Sequence, residues 1–278
     1  MTVVEKENIF DFLKSKSNWV RKETLKIHKI AQDTRIASSL SSVEIFSVLY
    51  YGGIIRFNPK DIRWEGRDRL IISKGHGAIS MYPILADMGY FDEKELKRVC
   101  KEGTFLGGIP DSIIPGFETI NGSLGHGPGV ACGIALALKR KKRTEKVIVV
   151  VGDGELYEGS VWEAVMFAGE HRLDNLMMVV DNNKVCMLDF CENIIALEPI
   201  NEKFRVFKWD ARIIDGHDVE QLYNSFKEFK NSDGNGSPVV LIANTIKGKG
   251  VPSLETDSLS HVKNLKAEEV DAILERLK

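Results

Sequence analysis

Two polar sequences that each follow an apolar run carry the residue types most able to do chemistry in this chain. Asp153 lies in a Gly-Asp-Gly turn directly after an apolar run at 147–151, and Asn183 closes an Asp-Asn-Asn loop directly after a second run at 176–180. A helix-like segment separates the two, at a spacing of about thirty residues that fits one strand–helix–strand unit. Because parallel strands joined by one helix end at the same edge of a sheet, we expect Asp153 and Asn183 to lie close together.

The chemistry of these side chains favours a metal ion bound to a diphosphate. Carboxylate and amide oxygens, with a nearby backbone carbonyl, suit Mg²⁺ or Ca²⁺ better than zinc or copper, and Mg²⁺ usually shares its shell with phosphate oxygens. Gly152 and Gly154 carry no side chains that would block a diphosphate, and a helix beginning near Glu155 would offer it free N–H groups. Taken singly, each polar sequence is also typical of an ordinary turn.

The rest of the chain predicts a three-layer α/β fold, in which helices cover both faces of a mostly parallel sheet. Apolar periodicity and cap residues predict one domain over residues 1–278, without repeats or low-complexity tracts. Predicted strands occupy 147–151, 176–180 and 239–243, and a short one precedes Ser73. Predicted helices occupy 8–33, 43–49, 78–88, 130–138, 155–168, 199–207, 219–229 and 267–277, with a break at 33–40.

Composition excludes several classes of function. The 278 residues carry a formal net charge of −2 and are 43% hydrophobic, which suits a large soluble α/β domain and gives no basic surplus for nucleic acid. No apolar run is long enough to cross a membrane, and the acidic N-terminus does not resemble a signal peptide. The cysteines show no zinc-type spacing, so we expect a reducing, cytoplasmic location; they are Cys100, Cys132, Cys186 and Cys191.

The sequence GDGELYEGSVWEA, followed by VVDNNKV, resembles the thiamine-diphosphate signature of the transketolase family, in the N-terminal half that binds the diphosphate. The resemblance extends over nearly the whole chain. It implies thiamine diphosphate and Mg²⁺ as cofactors, with Ca²⁺ as an alternative metal. The implied metal ligands are the Asp153 carboxylate, the Asn183 amide oxygen and the Val185 carbonyl.

Three further motifs resemble cofactor-binding sequences of the same family. RDRLIISKGHG carries His76, which the resemblance places against the diphosphate or the reacting centre, and NGSLGHG carries the positions that hold the aminopyrimidine ring. TIKGKG places Lys247 where it would offset diphosphate charge. The cofactor-binding residues implied by the resemblance are His76, Gly122, Ser123, Leu124, Gly152, Asp153, Gly154, Glu155, Asn183 and Lys247.

The substrate side of the site departs from the family pattern. Arg35 stands where the family has a sugar-binding histidine, and Ile109 replaces a histidine that handles substrate protons. His126 replaces a more usual glutamine, and His261 resembles a pocket histidine of the family. We expect His76, His126 and His261 to be catalytic, with Arg35 contacting an anionic part of the substrate. The alternatives are an ordinary loop histidine at 126 and a solvated arginine at 35.

The resemblance also implies a partner chain. Glu158 matches a family glutamate at the interface between subunits, and the glutamate that activates the aminopyrimidine belongs to a separate pyrimidine-binding domain. We expect that domain on a C-terminal transketolase-like subunit, in a heteromer with two copies of each chain (α₂β₂). This chain would then be inactive alone, and the complete enzyme would transfer a two-carbon ketol or acyl unit between small carbonyl compounds.

Two alternatives to this function stay open. Loss of the histidines at positions 35 and 109 favours thiamine-dependent acyl transfer to a non-standard acceptor, such as a modified sugar. A non-catalytic scaffold that kept the fold is the other alternative, and the retained motif residues argue against it. A nicotinamide-binding enzyme is disfavoured, because GDG with DNN is not the glycine-rich turn of that class.

Overall fold

One parallel β-sheet forms the centre of the molecule. The computed structural model describes residues 3–120, 122–187, 189–234 and 236–277, and five strands pair within this part of the chain. They are β1 (Arg69–Ile72), β2 (Val147–Gly152), β3 (Leu176–Asn182), β4 (Asp210–Asp215) and β5 (Val239–Asn244). In space they follow the order β1-β2-β3-β5-β4, and every neighbouring pair is parallel.

Helices precede, connect and follow these strands. The α-helices are α1 (Val3–Ile30), α2 (Ile36–Leu40), α3 (Val43–Tyr51), α4 (Met81–Asp87), α5 (His126–Arg140), α6 (Gly159–Glu170), α7 (Cys191–Ile194), α8 (Ile200–Val206), α9 (Val219–Asn231), α10 (Pro252–Glu255) and α11 (Ala267–Arg276). Short 3₁₀ turns occupy Gly75–Gly77, Glu93–Arg98 and Gly154–Tyr157.

The sheet is covered on both faces, because alternate residues of its central strands belong to two separate apolar cores. In β2, Ile148 and Val150 pack into the core formed with α1, α3, α4 and α9. Val149 and Val151 pack into the core formed with α5, α6 and α8. Strands buried on both faces carry continuous apolar runs instead of alternating ones, as β2 and β3 do. This arrangement confirms the predicted three-layer α/β fold.

Several helix boundaries differ from the sequence prediction. Helix α1 begins at Val3 and ends at Ile30, instead of spanning 8–33, and α5 begins at His126 rather than at residue 130. The predicted break at 33–40 contains the short helix α2, whose residues are all buried. One turn of helix gains little stability by itself, so α2 depends on packing that sequence periodicity does not reveal.

The turn after β2 also differs from the expectation of a helix beginning near Glu155. Gly154–Tyr157 form a 3₁₀ turn, and α6 starts only at Gly159. The N–H of Gly154 donates to Oδ1 of Asp153 at 2.8 Å, so the aspartate caps this turn locally. The site therefore has one tight 3₁₀ turn where the sequence predicts the N-terminus of a long helix.

Two further expectations can be compared with the described residues. All four cysteines are free thiols. None of the helices in the described part of the chain is both long enough and apolar enough to cross a bilayer.

Candidate active site

A cavity of about 380 Å³ opens where β1, β2, β3 and β5 end. Parallel strands finish at one edge of a sheet, so residues distant in sequence meet there. Its walls contain most of the predicted site residues, namely Arg35, His76, Gly122, Leu124, Gly152, Asp153, Gly154, Glu155, Asn183, Val185, Lys247 and His261. Four wall residues were not predicted, namely Ser38, Lys74, Cys186 and Met187.

Three predicted site residues lie outside the described walls of this cavity. Ser123, His126 and Glu158 are all exposed, and His126 is the first residue of α5. Glu158 packs against the same loop, since a Cβ added to Gly125 would lie 2.8 Å from its Cβ. Asn121, which opens the NGSLGHG motif, falls outside the described residues. The roles of Ser123, His126 and Glu158 stay predictions.

Asp153 presents a buried carboxylate at the end of β2. The residue is 6% exposed; its Oδ1 accepts from the N–H of Gly154 and its Oδ2 from the N–H of Lys184. Burial raises the pKa of Asp153 to about 6, and the nearby Asp181 charge acts in the same direction. Because its negative charge is disfavoured in this environment, the carboxylate is well suited to bind a cation.

The oxygen atoms around Asp153 fit a hard divalent cation. Oδ1 of Asn183 accepts from the N–H of Val185 at 3.2 Å, and the Val185 carbonyl accepts from Lys247 Nζ at 2.7 Å. Among residues 3–120, 122–187, 189–234 and 236–277, no group of three or more His, Cys, Asp or Glu side chains is arranged to hold a metal. A cation here would combine one carboxylate with amide and carbonyl oxygens, leaving room for phosphate oxygens, as Mg²⁺ prefers.

Lys247 extends its ammonium group into the same corner. Its Nζ donates to the carbonyls of Val185 (2.7 Å) and Cys186 (3.3 Å) and lies 3.1 Å from Nδ1 of His261. Burial lowers the pKa of Lys247 to about 8, although the Asp153 charge opposes that shift. The ammonium form therefore persists at neutral pH and suits the predicted role of offsetting diphosphate charge.

A series of hydrogen-bonded side chains holds the loop that carries Lys247. The N–H of Ile246 donates to Nε2 of His217 at 2.8 Å, and Nδ1 of that histidine donates to Oε2 of Glu44 at 2.9 Å. Glu44 is in turn paired with Arg21, which also donates to the Lys249 carbonyl at 2.7 Å. Helices α1 and α3 thus fix the backbone on both sides of Lys247.

Two histidines in the cavity wall contact each other. The rings of His76 and His261 have centroids 5.0 Å apart and planes inclined at 52°. Burial, helped by the charge of Lys74, lowers the pKa of His76 to about 3. Burial, helped by the charge of Lys247, lowers the pKa of His261 to about 4. Both rings are neutral at neutral pH. Nδ1 of His261 accepts from the ammonium group of Lys247, so this ring offers a bound reactant only the N–H of Nε2, whereas His76 can offer one donor and one acceptor nitrogen.

A buried ion pair beside the cavity joins the segments that carry these residues. Lys74 and Asp181, which are 2% and 0% exposed, form a salt bridge between the ends of β1 and β3. Lys74 Nζ also donates to the Ser38 carbonyl at 3.0 Å. Asp181 accepts from Ser41 Oγ at 2.6 Å and from Thr245 Oγ1. The pair was not predicted, although both residues belong to motifs that the sequence displays.

Glu155 directs its carboxylate into the protein. The residue is 1% exposed. It accepts hydrogen bonds from Ser73 Oγ, from the N–H of Gly125 at 2.8 Å and from the N–H of Gly152 at 3.3 Å. Burial raises the pKa of the Glu155 carboxyl, although the hydrogen bond from Ser73 opposes that shift. The side chain is therefore committed to neighbouring loops, and a contact with the cofactor would have to come from its backbone.

Comparison with known proteins decides the family. Residues 18–278 match the family model described as transketolase, thiamine diphosphate binding domain. The chain belongs to the transketolase family. It is 37% identical over 251 residues to 6-deoxy-6-sulfo-D-fructose transketolase subunit SqwG of Clostridium sp. (strain MSTE9), covering 90% of each chain. It is 35% identical over 271 residues to an apulose-4-phosphate transketolase subunit of Actinobacillus succinogenes, covering 97% of each chain.

Solved transketolases have the same fold over this region. The transketolase of Campylobacter jejuni matches with a TM-score of 0.88 at 28% identity, over 96% of this chain but only 43% of that protein. The chain therefore spans less than half of the length of that transketolase, whereas it spans nearly all of the two relatives named as subunits. It is thus a thiamine-diphosphate-binding domain of transketolase type, in a family of transferases.

Two residues that depart from the transketolase pattern lie in or beside this cavity. Arg35 lines the cavity, and none of the ion pairs formed among the described residues involves its guanidinium. Ile109 is 48% exposed, and its Cγ2 lies 3.7 Å from the position that a Cβ on Gly122 would take. An unpaired cation and an aliphatic side chain therefore stand beside this transketolase-type site.

His28 joins two segments of the transketolase fold that flank the site, and sequence reasoning missed it. The residue is fully buried. Its Nδ1 lies 2.9 Å from Oγ1 of Thr34, next to Arg35, and its Nε2 accepts from the N–H of Leu265 at 3.2 Å. The Thr34 hydroxyl donates to the Ala31 carbonyl at 2.7 Å, so Nδ1 of His28 must carry the proton. Both nitrogens of the neutral ring are then satisfied.

We expect acidification to lower the free energy of unfolding of this chain. The decrease should be smaller in the His28→Gln variant. Burial lowers the pKa of His28 from 6.5 to about 4, so the folded state binds fewer protons than the unfolded chain between these values. The contribution of His28 to the free energy of unfolding is fully present above pH 6.5 and is lost toward pH 4, at about 1.4 kcal/mol per pH unit. Urea unfolding between about pH 7 and 5 measures this slope. Equal slopes in both proteins would contradict the prediction.

Proposed function

We propose that this chain is the diphosphate- and metal-binding subunit of a transketolase-like enzyme that transfers a two-carbon ketol or acyl unit between carbonyl compounds. One observation carries the proposal: Asp153, Asn183, Val185 and Lys247 meet in one cavity with His76. The two relatives that match along nearly their whole length are themselves named as transketolase subunits, which supports an enzyme made of two chains.

The metal and diphosphate are proposed to bind at the ends of β2 and β3. The Asp153 carboxylate, the Asn183 amide oxygen and the Val185 carbonyl would hold Mg²⁺, or Ca²⁺ in its place. The small residues Gly152 and Gly154 would let the backbone approach the diphosphate, and Lys247 would offset its remaining charge. Gly122, Ser123 and Leu124 would contact the aminopyrimidine end.

The remaining chemistry needs few side chains of this chain. Thiamine diphosphate, when bound, supplies the nucleophilic carbon and stores the electrons of the transferred unit. His76 and His261, both neutral, are proposed to donate hydrogen bonds to reacting oxygens, and His76 is proposed to accept protons from hydroxyl groups. His126, at the start of α5, is proposed to support them from the rim. The walls of the cavity would orient the substrate and exclude water.

A second chain is proposed to complete the site. The glutamate that activates the aminopyrimidine would come from a C-terminal transketolase-like subunit that carries the pyrimidine-binding domain. Glu158, exposed just before α6, is proposed to face another subunit of an α₂β₂ heteromer. The free cysteines of the described structure suit a reducing cytoplasm.

Turnover by the purified chain, alone and with its co-purifying partner, tests this proposal. We expect no turnover by the chain alone, and turnover that requires thiamine diphosphate and Mg²⁺ when the partner is present. A normal rate for the chain alone would contradict the two-chain enzyme. Absence of thiamine-diphosphate binding in calorimetry, even with the partner, would instead support a non-catalytic scaffold.

A second candidate is acyl transfer to a non-standard acceptor, such as a modified sugar. The guanidinium of Arg35 in the cavity wall, which forms no ion pair among the described residues, favours this candidate, and so does the aliphatic side chain at Ile109. An isoleucine cannot hydrogen-bond a sugar hydroxyl, and a guanidinium prefers an anionic group. A panel of donors separates the two functions: preference for xylulose 5-phosphate supports ketol transfer, and preference for pyruvate supports acyl transfer.

A further inference from the structure

One buried carboxylate connects the two backbone segments that the proposed function assigns to opposite ends of the cofactor. Glu155 accepts from the N–H of Gly125, directly after the aminopyrimidine segment 122–124, at 2.8 Å. It also accepts from the N–H of Gly152, in the diphosphate turn, at 3.3 Å. We propose that Glu155 is a positioning residue that sets the separation of these two segments, an inference that rests on the proposed function.

The two segments are not held equally well without this residue. Gly152 belongs to β2 and pairs in register with Asp181 of β3, so the sheet itself fixes its position. Gly125 lies outside the sheet, at the N-cap of α5, with a φ of 83° that favours glycine. Glu155 therefore anchors a loop segment to a sheet segment, and its loss should release mainly the loop.

Ser73 extends the anchor to the first turn of α5, which directly follows this loop. Its hydroxyl donates to Oε1 of Glu155 and accepts from the N–H of Gly127 at 3.0 Å. A Cβ added to Gly127 would lie 2.4 Å from Cβ of Ser73, so the backbone there rests directly on the end of β1. The N–H of Gly125 at the end of the loop and the N–H of Gly127 in the first turn of α5 thus depend on one carboxylate, directly or through one hydroxyl.

This arrangement predicts a difference between ligands that span both segments and ligands that use only one. Thiamine diphosphate must reach both the aminopyrimidine loop and the diphosphate turn, whereas inorganic pyrophosphate needs only the turn. A misplacement of about 1 Å can cost a hundredfold in the rate of an enzymatic reaction, and binding of a ligand that spans both segments depends on the same positioning. A positioning residue should therefore affect the two ligands unequally.

The test is calorimetric binding of thiamine diphosphate and of inorganic pyrophosphate to the full chain, together with its co-purifying partner, in the presence of Mg²⁺. We expect Glu155→Gln to weaken binding of thiamine diphosphate about tenfold or more while changing binding of pyrophosphate less than about twofold. Glu163→Gln, at an exposed position of α6, is the matched control and should change neither affinity. Equal weakening of both ligands, or unchanged affinity for thiamine diphosphate, would overturn the inference.

A milder variant keeps the inference testable should Glu155→Gln fail to fold. Ser73→Ala keeps the carboxylate and removes the hydroxyl, so it should weaken thiamine-diphosphate binding in the same direction but less. Hydrogen exchange at the amides of Gly125 and Gly127 should become faster while exchange in β2 stays unchanged. Unchanged exchange at both amides would overturn the positioning role. Failure of the unaltered chain to bind thiamine diphosphate, even with its co-purifying partner, would instead refute the proposed function.

Discussion

Asp153→Asn is expected to abolish Mg²⁺-dependent binding of thiamine diphosphate while the chain stays folded. The substitution keeps the shape of the side chain but removes the only charged ligand proposed for the metal. Loss of residues that merely support a metal ligand typically costs ten- to a hundredfold in affinity, so loss of a direct ligand should cost on the order of a hundredfold or more. Calorimetry with thiamine diphosphate, in the presence and absence of Mg²⁺, measures the effect.

The buried position of Asp153 makes this test specific. Burial raises its pKa to about 6, so its charge is costly in the folded chain and removing the charge gives no electrostatic reason for unfolding. Asp233→Asn, an exposed aspartate in the loop between α9 and β5, provides the control and should bind like the unaltered chain. Unchanged Mg²⁺ dependence in Asp153→Asn would exclude this carboxylate as a metal ligand.

Lys74→Met should cause the largest loss of stability among the substitutions considered for this chain. The salt bridge between Lys74 and Asp181 is almost completely buried, and methionine would leave the carboxylate without its cation. Breaking one side of a buried ion pair costs about 3–5 kcal/mol, because an uncompensated charge stays buried away from water. Urea unfolding followed by circular dichroism gives the free energy of unfolding directly.

The double variant Lys74→Met with Asp181→Leu separates the charge effect from the loss of packing. It removes both charges, so it should recover part of the stability that Lys74→Met alone loses. Lys208→Met breaks an exposed pair with Glu170 and should change the free energy of unfolding much less. If Lys74→Met and Lys208→Met had equal free energies of unfolding, the buried pair would contribute no more to stability than the exposed pair does.

The proximity of Asp153 and Asn183 could be predicted from sequence because it follows from short-range features. The continuous apolar runs of β2 and β3 reveal strands covered on both faces, and each run ends in a polar turn. Parallel strands joined by one helix must end at the same sheet edge. Asp153 and Asn183 could therefore be placed together before the structure was known, and both line one cavity.

Element boundaries were less accessible to sequence reasoning than element types. Helix α2 lies in a segment where the sequence predicts a break, and α6 begins later than the sequence predicts. Both differences arise where buried contacts with distant segments decide between a loop and a single helical turn. Local propensity is too weak to predict such a choice.

The sequence by itself therefore determined the α/β class, the family and the cluster of metal- and diphosphate-type ligands. Only the tertiary structure decided which way the polar side chains around that cluster point. Glu155 faces Ser73, 82 residues away, and Lys74 faces Asp181, 107 residues away. The direction of a side chain in a turn depends on which donors and charges other segments bring within hydrogen-bonding distance. That information exists only once the strands have assembled.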